Sequence, residues 1–189
     1  MKAIAFSEFG GPEVLRTVEL DRPEPGPGQV RVAVRAAGYN PIDAKIRSGA
    51  FGDPARGFPA VPGVDFAGVV DAVGEAAGFA IGDEVVGWAA TGSYAEYALA
   101  TTVTRKPAQL DWVSATALPV GTEAAYRILR KVGVTDGDCL LVHGAAGLVG
   151  AYAVQLAARL GAQVIGTAGP ADHDYVRALG AIPVAYGDG

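Results

Sequence analysis

The chain has 189 residues, half of them hydrophobic and 19% charged, with a net charge of −5. That composition can bury a sizeable core and excludes a wholly disordered chain, and the acidic balance with no basic stripe sets nucleic-acid partners aside. A single cysteine, Cys139, and two histidines, His143 and His173, exclude an internal disulfide and a multi-cysteine or His-rich metal site. No stretch approaches the roughly 18 apolar residues of a membrane span, and residues 1–8 do not form a secretory leader. A reducing, cytoplasmic compartment away from membranes is the expectation.

Residues 2–6 and 14–20 read as short strands around the turn Gly10-Gly11-Pro12. Residues 22–28 carry three prolines and two glycines and form a loop. Residues 29–37 alternate, with Val30, Val32 and Val34 on one face and Arg31 and Arg35 on the other, as in a half-buried strand. Asn40 ahead of Pro41 caps a short helix that Gly49 ends. Residues 50–64 read as a loop. Residues 65–73, 84–88 and 93–99 are further strands, with turns at Gly82-Asp83 and Thr91-Gly92.

The pattern then changes. Residues 111–130 have helical spacing with a break at Pro119. Residues 139–143 read as a short apolar strand of the kind buried on both faces of a parallel sheet. A helix over 148–160 ends at Gly161, a strand follows at 164–166, a helix over 171–179 ends at Gly180, and a last strand spans 182–186. The first 110 residues are therefore β-rich and residues 138–186 read β-α-β-α-β. This shift predicts two domains, 1–115 and 116–189.

The strand at 139–143 runs into a turn with the spacing Ala145-x-Gly147-x-x-Gly150, and a helix follows. This is the dinucleotide fingerprint with alanine in its first position. Backbone N–H groups at such a helix start favour a pyrophosphate, which makes Ala145, Ala146, Gly147, Leu148, Val149 and Gly150 the cofactor-binding candidates. The alternative is a tight strand-to-helix turn with no ligand. At the end of the next strand, Gly166-Thr167-Ala168-Gly169-Pro170 carries no acid before Asp172. An NAD site would place an acid there for the ribose 2′-hydroxyl. Thr167 and Ala168 leave room for a 2′-phosphate instead, with His173 and Arg177 as sources of charge, so NADP(H) is the expected cofactor. Arg177 also reads as an ordinary solvated helix residue.

Three further strings, Gly38-Tyr-Asn-Pro-Ile-Asp-Ala-Lys-Ile-Arg-Ser-Gly49, Pro62-Gly-Val-Asp-Phe-Ala-Gly-Val-Val70 and Gly82-Asp-Glu-Val-Val-Gly87, join Ala117-Leu-Pro119 and the glycine turn. Together they make the chain resemble, over nearly its whole length, the zinc-independent quinone oxidoreductases. These form the zeta-crystallin-like branch of the medium-chain dehydrogenase/reductase superfamily. The resemblance implies an α/β plus β fold: a GroES-like β-rich domain, then a Rossmann-type parallel sheet, with the active site in the cleft between them. It implies hydride transfer from NADPH to a quinone, an enone or a related conjugated acceptor. It places Asn40 near the nicotinamide and Asp43 in support of that loop. Asn40 also reads as a plain helix cap, and Asp43 as a first-turn acid. His173 falls where the family often carries a lysine for the 2′-phosphate, and Tyr186 on a tyrosine that contacts the adenosine end or serves as a plain strand aromatic.

Against the zinc enzymes of that superfamily, Asn40 stands where the first cysteine would be, and Pro62-Gly-Val-Asp65 lacks the histidine. With Cys139 expected inside a strand, no zinc site is expected. Leu148 replaces a common second glycine, and Lys45 and Phe51 stand where some quinone reductases carry tyrosines. Family members often pair as homodimers through the edge of the second sheet. Here that sheet stops after one half, which leaves an unpaired apolar edge expected at 139–143. Two other readings stay open: an enoyl reductase, and an NADPH-binding relative without catalysis.

Overall fold

Residues 1–51 and 57–186 are described in the computed structural model, so part of the loop expected at 50–64 lies outside the described residues. The chain divides into two units, Met1–Val120 and Gly121–Gly189.

In the first unit β1 (Lys2–Ala5) and β2 (Arg16–Glu19) form an antiparallel pair. A five-stranded antiparallel sheet runs in the order β6-β3-β4-β5-β7. Its strands are β3 (Val30–Ala37), β4 (Asp65–Val73), β5 (Glu84–Trp88), β6 (Tyr97–Ala100) and β7 (Thr102–Arg105). β4 lies in the middle and is apolar on both faces. Phe66 and Val70 join Val30, Val32, Val85 and Ala100 in one core cluster. Ala67 joins Val86 and Ala115 in another, with Trp112 packed against it. Period-two side-chain alternation sends these sets to opposite faces. β7 has no counterpart in the sequence reading, because Thr-Val-Thr-Arg sits at a mostly exposed sheet edge and carries no apolar alternation.

Arg31 corrects the expected polar face of β3. It is only 8% exposed, because the proline-rich segment folds over it. Its guanidinium donates to Asp71 Oδ1 (2.9 Å) and Oδ2 (3.3 Å), to Glu24 Oε1 (2.9 Å) and to the Pro23 carbonyl (3.1 Å). Such a buried cation is tolerable only when paired and hydrogen-bonded in this way.

Three helices follow the loops of this unit: α1 (Pro41–Arg47), α2 (Trp112–Ala115) and α3 (Leu118–Val132). Asp111 caps α2 by accepting from the Ser114 N–H at 2.7 Å. The helical break lies between Ala115 and Leu118 rather than at Pro119. Pro119 falls in the first turn of α3, where its missing N–H costs no intrahelical bond. The division between the two units falls inside α3.

The second unit holds β8 (Cys139–Val142), α4 (Leu148–Arg159), β9 (Gln163–Ala168), α5 (His173–Ala178) and β10 (Ala181–Ala185). The three strands are parallel in the order β10-β9-β8. Pro170–Asp172 is a separate 3-10 turn, so the helix expected over 171–179 is shorter than its sequence pattern. The core gathers Leu129, Ala145, Val154, Ala157, Val164, Val176 and Ala181.

β8 departs from the expectation of burial on both faces. Leu140 and Val142 pack on the core, whereas Cys139 and Leu141 are exposed. Among the described residues β8 pairs only with β9, which leaves one flank and one face open.

Replacing Arg31 with leucine would leave the partly exposed Asp71 carboxylate without its cation. A loss of about 2 kcal/mol is expected in urea unfolding, below the full penalty of a wholly buried broken pair, and adding Asp71→Asn should recover part of it.

Candidate functional site

The first unit assembles a buried polar cluster around the start of α1. Asn40 is its N-cap residue, in extended conformation (φ −126, ψ 152), and Pro41 opens the helix. Asn40 and Asp43 stand as a capping box whose short bond is the Asn40 N–H to Asp43 Oδ2, at 2.7 Å. The Asn40 side chain makes no full cap bond. Instead Nδ2 donates to Asp65 Oδ2 at 2.8 Å. Asp65 Oδ1 accepts the Val120 N–H at 3.1 Å. The backbone joins the same elements, since Gly38 N–H donates to the Asp65 carbonyl at 3.0 Å.

Asn40, Asp43 and Asp65 are all nearly inaccessible, at 5%, 2% and 2% exposure. Burial pushes the Asp65 carboxyl up to about 6. Its bonds from Asn40 and Val120 pull it down, and the nearby Asp43 charge pushes it up further. Burial also raises Asp43, against the pull of the Asn40, Val64 and Gly63 N–H groups. Asp43 Oδ1 makes no hydrogen bond of full geometry. Tyr94 is pushed up to about 12, by burial first and then by the charge of Asp43.

The second unit builds the turn at 144–150. Gly144 has φ +69, a left-handed conformation suited to glycine. A Cβ on Gly150 would stand 2.2 Å from the Gly144 carbonyl oxygen, so only glycine lets α4 start this close to the strand end. A Cβ on Gly147 would come no nearer than 3.4 Å to that atom. Gly147 is therefore free to be something else as far as the fold is concerned, and its bareness keeps the turn's surface open.

Ala151 N–H reaches back to the Gly147 carbonyl at 2.8 Å. The N–H groups of Leu148, Val149 and Gly150 thus precede the first turn-closing bond of a 12-residue helix. Gly147, Leu148 and Val149 are exposed. A groove of about 450 Å³ adjoins them, lined also by His143, Gly144 and apolar side chains of β8 and α3. Donors at the positive end of a helix beside an open groove fit a pyrophosphate.

The remaining candidates spread around this turn. Ala145 is wholly buried, and its N–H donates to the Thr167 carbonyl at 2.9 Å. The Thr167 hydroxyl accepts the Gly144 N–H at 3.1 Å and lies 3.3 Å from His143 Nδ1, so it braces the turn from β9. Ala146 is half-buried and Ala168 buried. His173 has its Nε2 buried without a partner. Arg177 pairs with Asp174, as a solvated helix residue does. A Cβ on Gly169 would lie 3.2 Å from the Tyr186 hydroxyl, which puts exposed Tyr186 beside the end of β9.

Two partnerships escaped the sequence reading. Asp65 enters the sequence reading only beside the histidine missing from Pro62-Gly-Val-Asp65; an acid opening an otherwise apolar strand is the signal that could have found it. The pairing of His143 with Thr167 left no local pattern. Among the described residues no group of three or more His, Cys, Asp or Glu is placed to hold a metal ion, and Cys139 is exposed rather than buried. No helix there is long and apolar enough to cross a membrane.

Comparison with known proteins matches residues 26–131 to the alcohol dehydrogenase GroES-like domain. A quinone oxidoreductase of Lama guanicoe is 44% identical over 175 residues, covering 89% of this chain and 53% of the relative. A 2-methylene-furan-3-one reductase of Solanum lycopersicum is 36% identical, covering 96% of this chain and 50% of the relative. The chain thus spans about half the length of the curated relatives it matches. The solved quinone oxidoreductase of Coxiella burnetii superposes with a TM-score of 0.86 at 37% identity, covering 99% of this chain and 62% of that one. The Escherichia coli quinone oxidoreductase, solved with NADPH, gives 0.83 at 33%, covering 98% and 58%.

Two outcomes follow from the site geometry. Gly150→Ala should lower the melting temperature sharply, because its methyl meets backbone, while Gly147→Ala should leave it nearly unchanged. A carboxyl whose folded pKa is raised stabilises fully below its unfolded value near 3.8, and that contribution is lost as pH rises through about 6. Asp65→Asn cannot ionise, so between pH 4 and 7 it should gain on the native protein by on the order of 3 kcal/mol in denaturant unfolding.

Proposed function

The chain belongs to the alcohol dehydrogenase GroES-like domain family, and we propose that it serves as an NADPH-dependent oxidoreductase reducing a quinone or another α,β-unsaturated carbonyl without zinc. The observation that carries this reading is the turn at 144–150, with Gly150 packed on the Gly144 carbonyl and three helix-start N–H groups beside an open groove. The Escherichia coli structure with NADPH and the Solanum lycopersicum reductase support the cofactor and the conjugated acceptor.

In this reading Leu148, Val149 and Gly150 offer backbone donors to the pyrophosphate, and Ala145, Ala146 and Gly147 shape the approach. Thr167, Ala168, His173 and Tyr186 serve the adenosine end, where the absence of an acid before Asp172 admits a 2′-phosphate. When bound, NADPH supplies the hydride. Asn40 supplies a hydrogen-bond donor to the acceptor oxygen as negative charge develops there, and Asp43 holds the Asn40 backbone in place. Asn40 at the first cysteine position, and valine at the histidine position of Pro62-Gly-Val-Asp65, support chemistry without zinc.

Titration of the folded chain with NADPH and separately with NADH, followed by nicotinamide fluorescence, tests the reading. Saturable NADPH binding at least tenfold tighter than NADH binding is expected. Gly147→Ala should weaken NADPH binding at least tenfold at unchanged melting temperature. No binding of either nucleotide to folded protein would overturn the reading. Binding without consumption across a panel of quinones and enones would select the non-catalytic alternative.

A further inference from the structure

An ionised carboxylate only accepts hydrogen bonds, whereas a carboxamide has one accepting end and one donating end. Asp65 Oδ1 is held by the Val120 N–H, a backbone donor that cannot turn round. Asp65 Oδ2 therefore faces Asn40 as an acceptor, and Asn40 must answer with Nδ2. One of the two Nδ2 protons is spent on Asp65 and the other remains to be given. The Asn40 oxygen is left to the first turn of α1, where Asn40 and Asp43 form the capping box.

We propose that Asp65 is the positioning residue for the reduction inferred above: it fixes the Asn40 carboxamide with its amide nitrogen toward β4, so that the second Nδ2–H is the donor offered to the acceptor oxygen. The inference rests on that functional reading for its chemical meaning, but the orientation itself stands on the two hydrogen bonds. Asp65 does not touch the acceptor; it acts through Asn40.

The orientation depends on the charge of Asp65. A neutral side chain at this position must still accept the Val120 N–H, which places its own donor toward Asn40. The carboxamide then has to turn over, presenting oxygen to residue 65 and withdrawing its donor. Protonation of Asp65 and substitution by asparagine should produce the same inverted state. Around Asp65, Asp43 on α1 is the charged group that acts on it. Trp88, opposite on β5, Thr116, between α2 and α3, and Val120, in the first turn of α3, bring no charge. Tyr94 stands by Asp43 with Tyr39 and Arg47. The raised Asp65 carboxyl titrates near 6, within reach of ordinary solution conditions.

Asn40 is the only asparagine of the chain. Selective asparagine 15N labelling of the 189-residue protein therefore yields one carboxamide nitrogen signal, carried by a pair of proton cross-peaks. That signal should shift with pH and inflect near 6, and in Asp65→Asn neither of the two carboxamide signals should titrate in that window. A flat Asn40 signal in the native chain overturns the proposal. So does an inflection that persists in Asp65→Asn, which would assign the titration to Asp43. In acceptor assays Asp65→Asn should lower kcat at least tenfold at pH 7.5 with unchanged affinity for NADPH, and an unchanged kcat contradicts the proposal. Absence of turnover in the native chain would count against the functional reading alone, because the carboxamide signals decide the positioning by themselves.

Discussion

A buried carboxylate must find partners for both oxygens, and in the first unit that demand is concentrated on Asp65. It lies at the start of β4, the middle strand of the sheet, and takes one bond from the residue that caps α1 and one from the first turn of α3. Its carbonyl holds Gly38, so the connection from β3 into α1 is fixed through both backbone and side chain. An apolar residue here would leave two donors unanswered, a loss comparable to the desolvation of each group. The raised carboxyl is the energetic cost of this arrangement, caused mainly by burial.

The second unit rests on a steric constraint. The first turn of α4 approaches the Gly144 carbonyl so closely that a side chain at Gly150 would force the backbone apart, and the Thr167 hydroxyl holds the Gly144 N–H from the neighbouring strand. These contacts anchor the turn, and the N–H groups of Leu148, Val149 and Gly150 precede the first turn-closing bond of α4. Gly147 is different. Its surroundings would accept a methyl, so the reason for a bare backbone there is sought in a ligand rather than in packing.

Much of this was legible in the sequence wherever a local pattern governs. β4 and β5 fall on their expected bounds because apolar residues and flanking glycine turns define them. Asn40 ahead of Pro41 marked the start of α1, and the β-α-β-α-β run marked the parallel sheet. What escaped depends on partners distant in the chain. Arg31 looked like a surface residue until Asp71, 40 positions away, and the proline-rich segment closed around it. Cys139 looked buried because its strand is apolar, but burial depends on what flanks a strand. Pro119 looked like a break, although a first helical turn tolerates proline. Asp65 was read for the histidine missing beside it, and its bond to Asn40 spans 25 positions.

The alcohol dehydrogenase GroES-like match spans residues 26–131, and the glycine turn proposed as the cofactor site lies beyond it. The most direct measurement is a 1H–15N amide map of the chain during titration with NADPH. Saturable shifts concentrated at Leu148, Val149 and Gly150, and along the segment from Thr167 to His173, are the expected result. Saturable shifts that leave the helix start untouched, or a map that does not change while the protein stays folded, would contradict the assignment of the turn as the cofactor site.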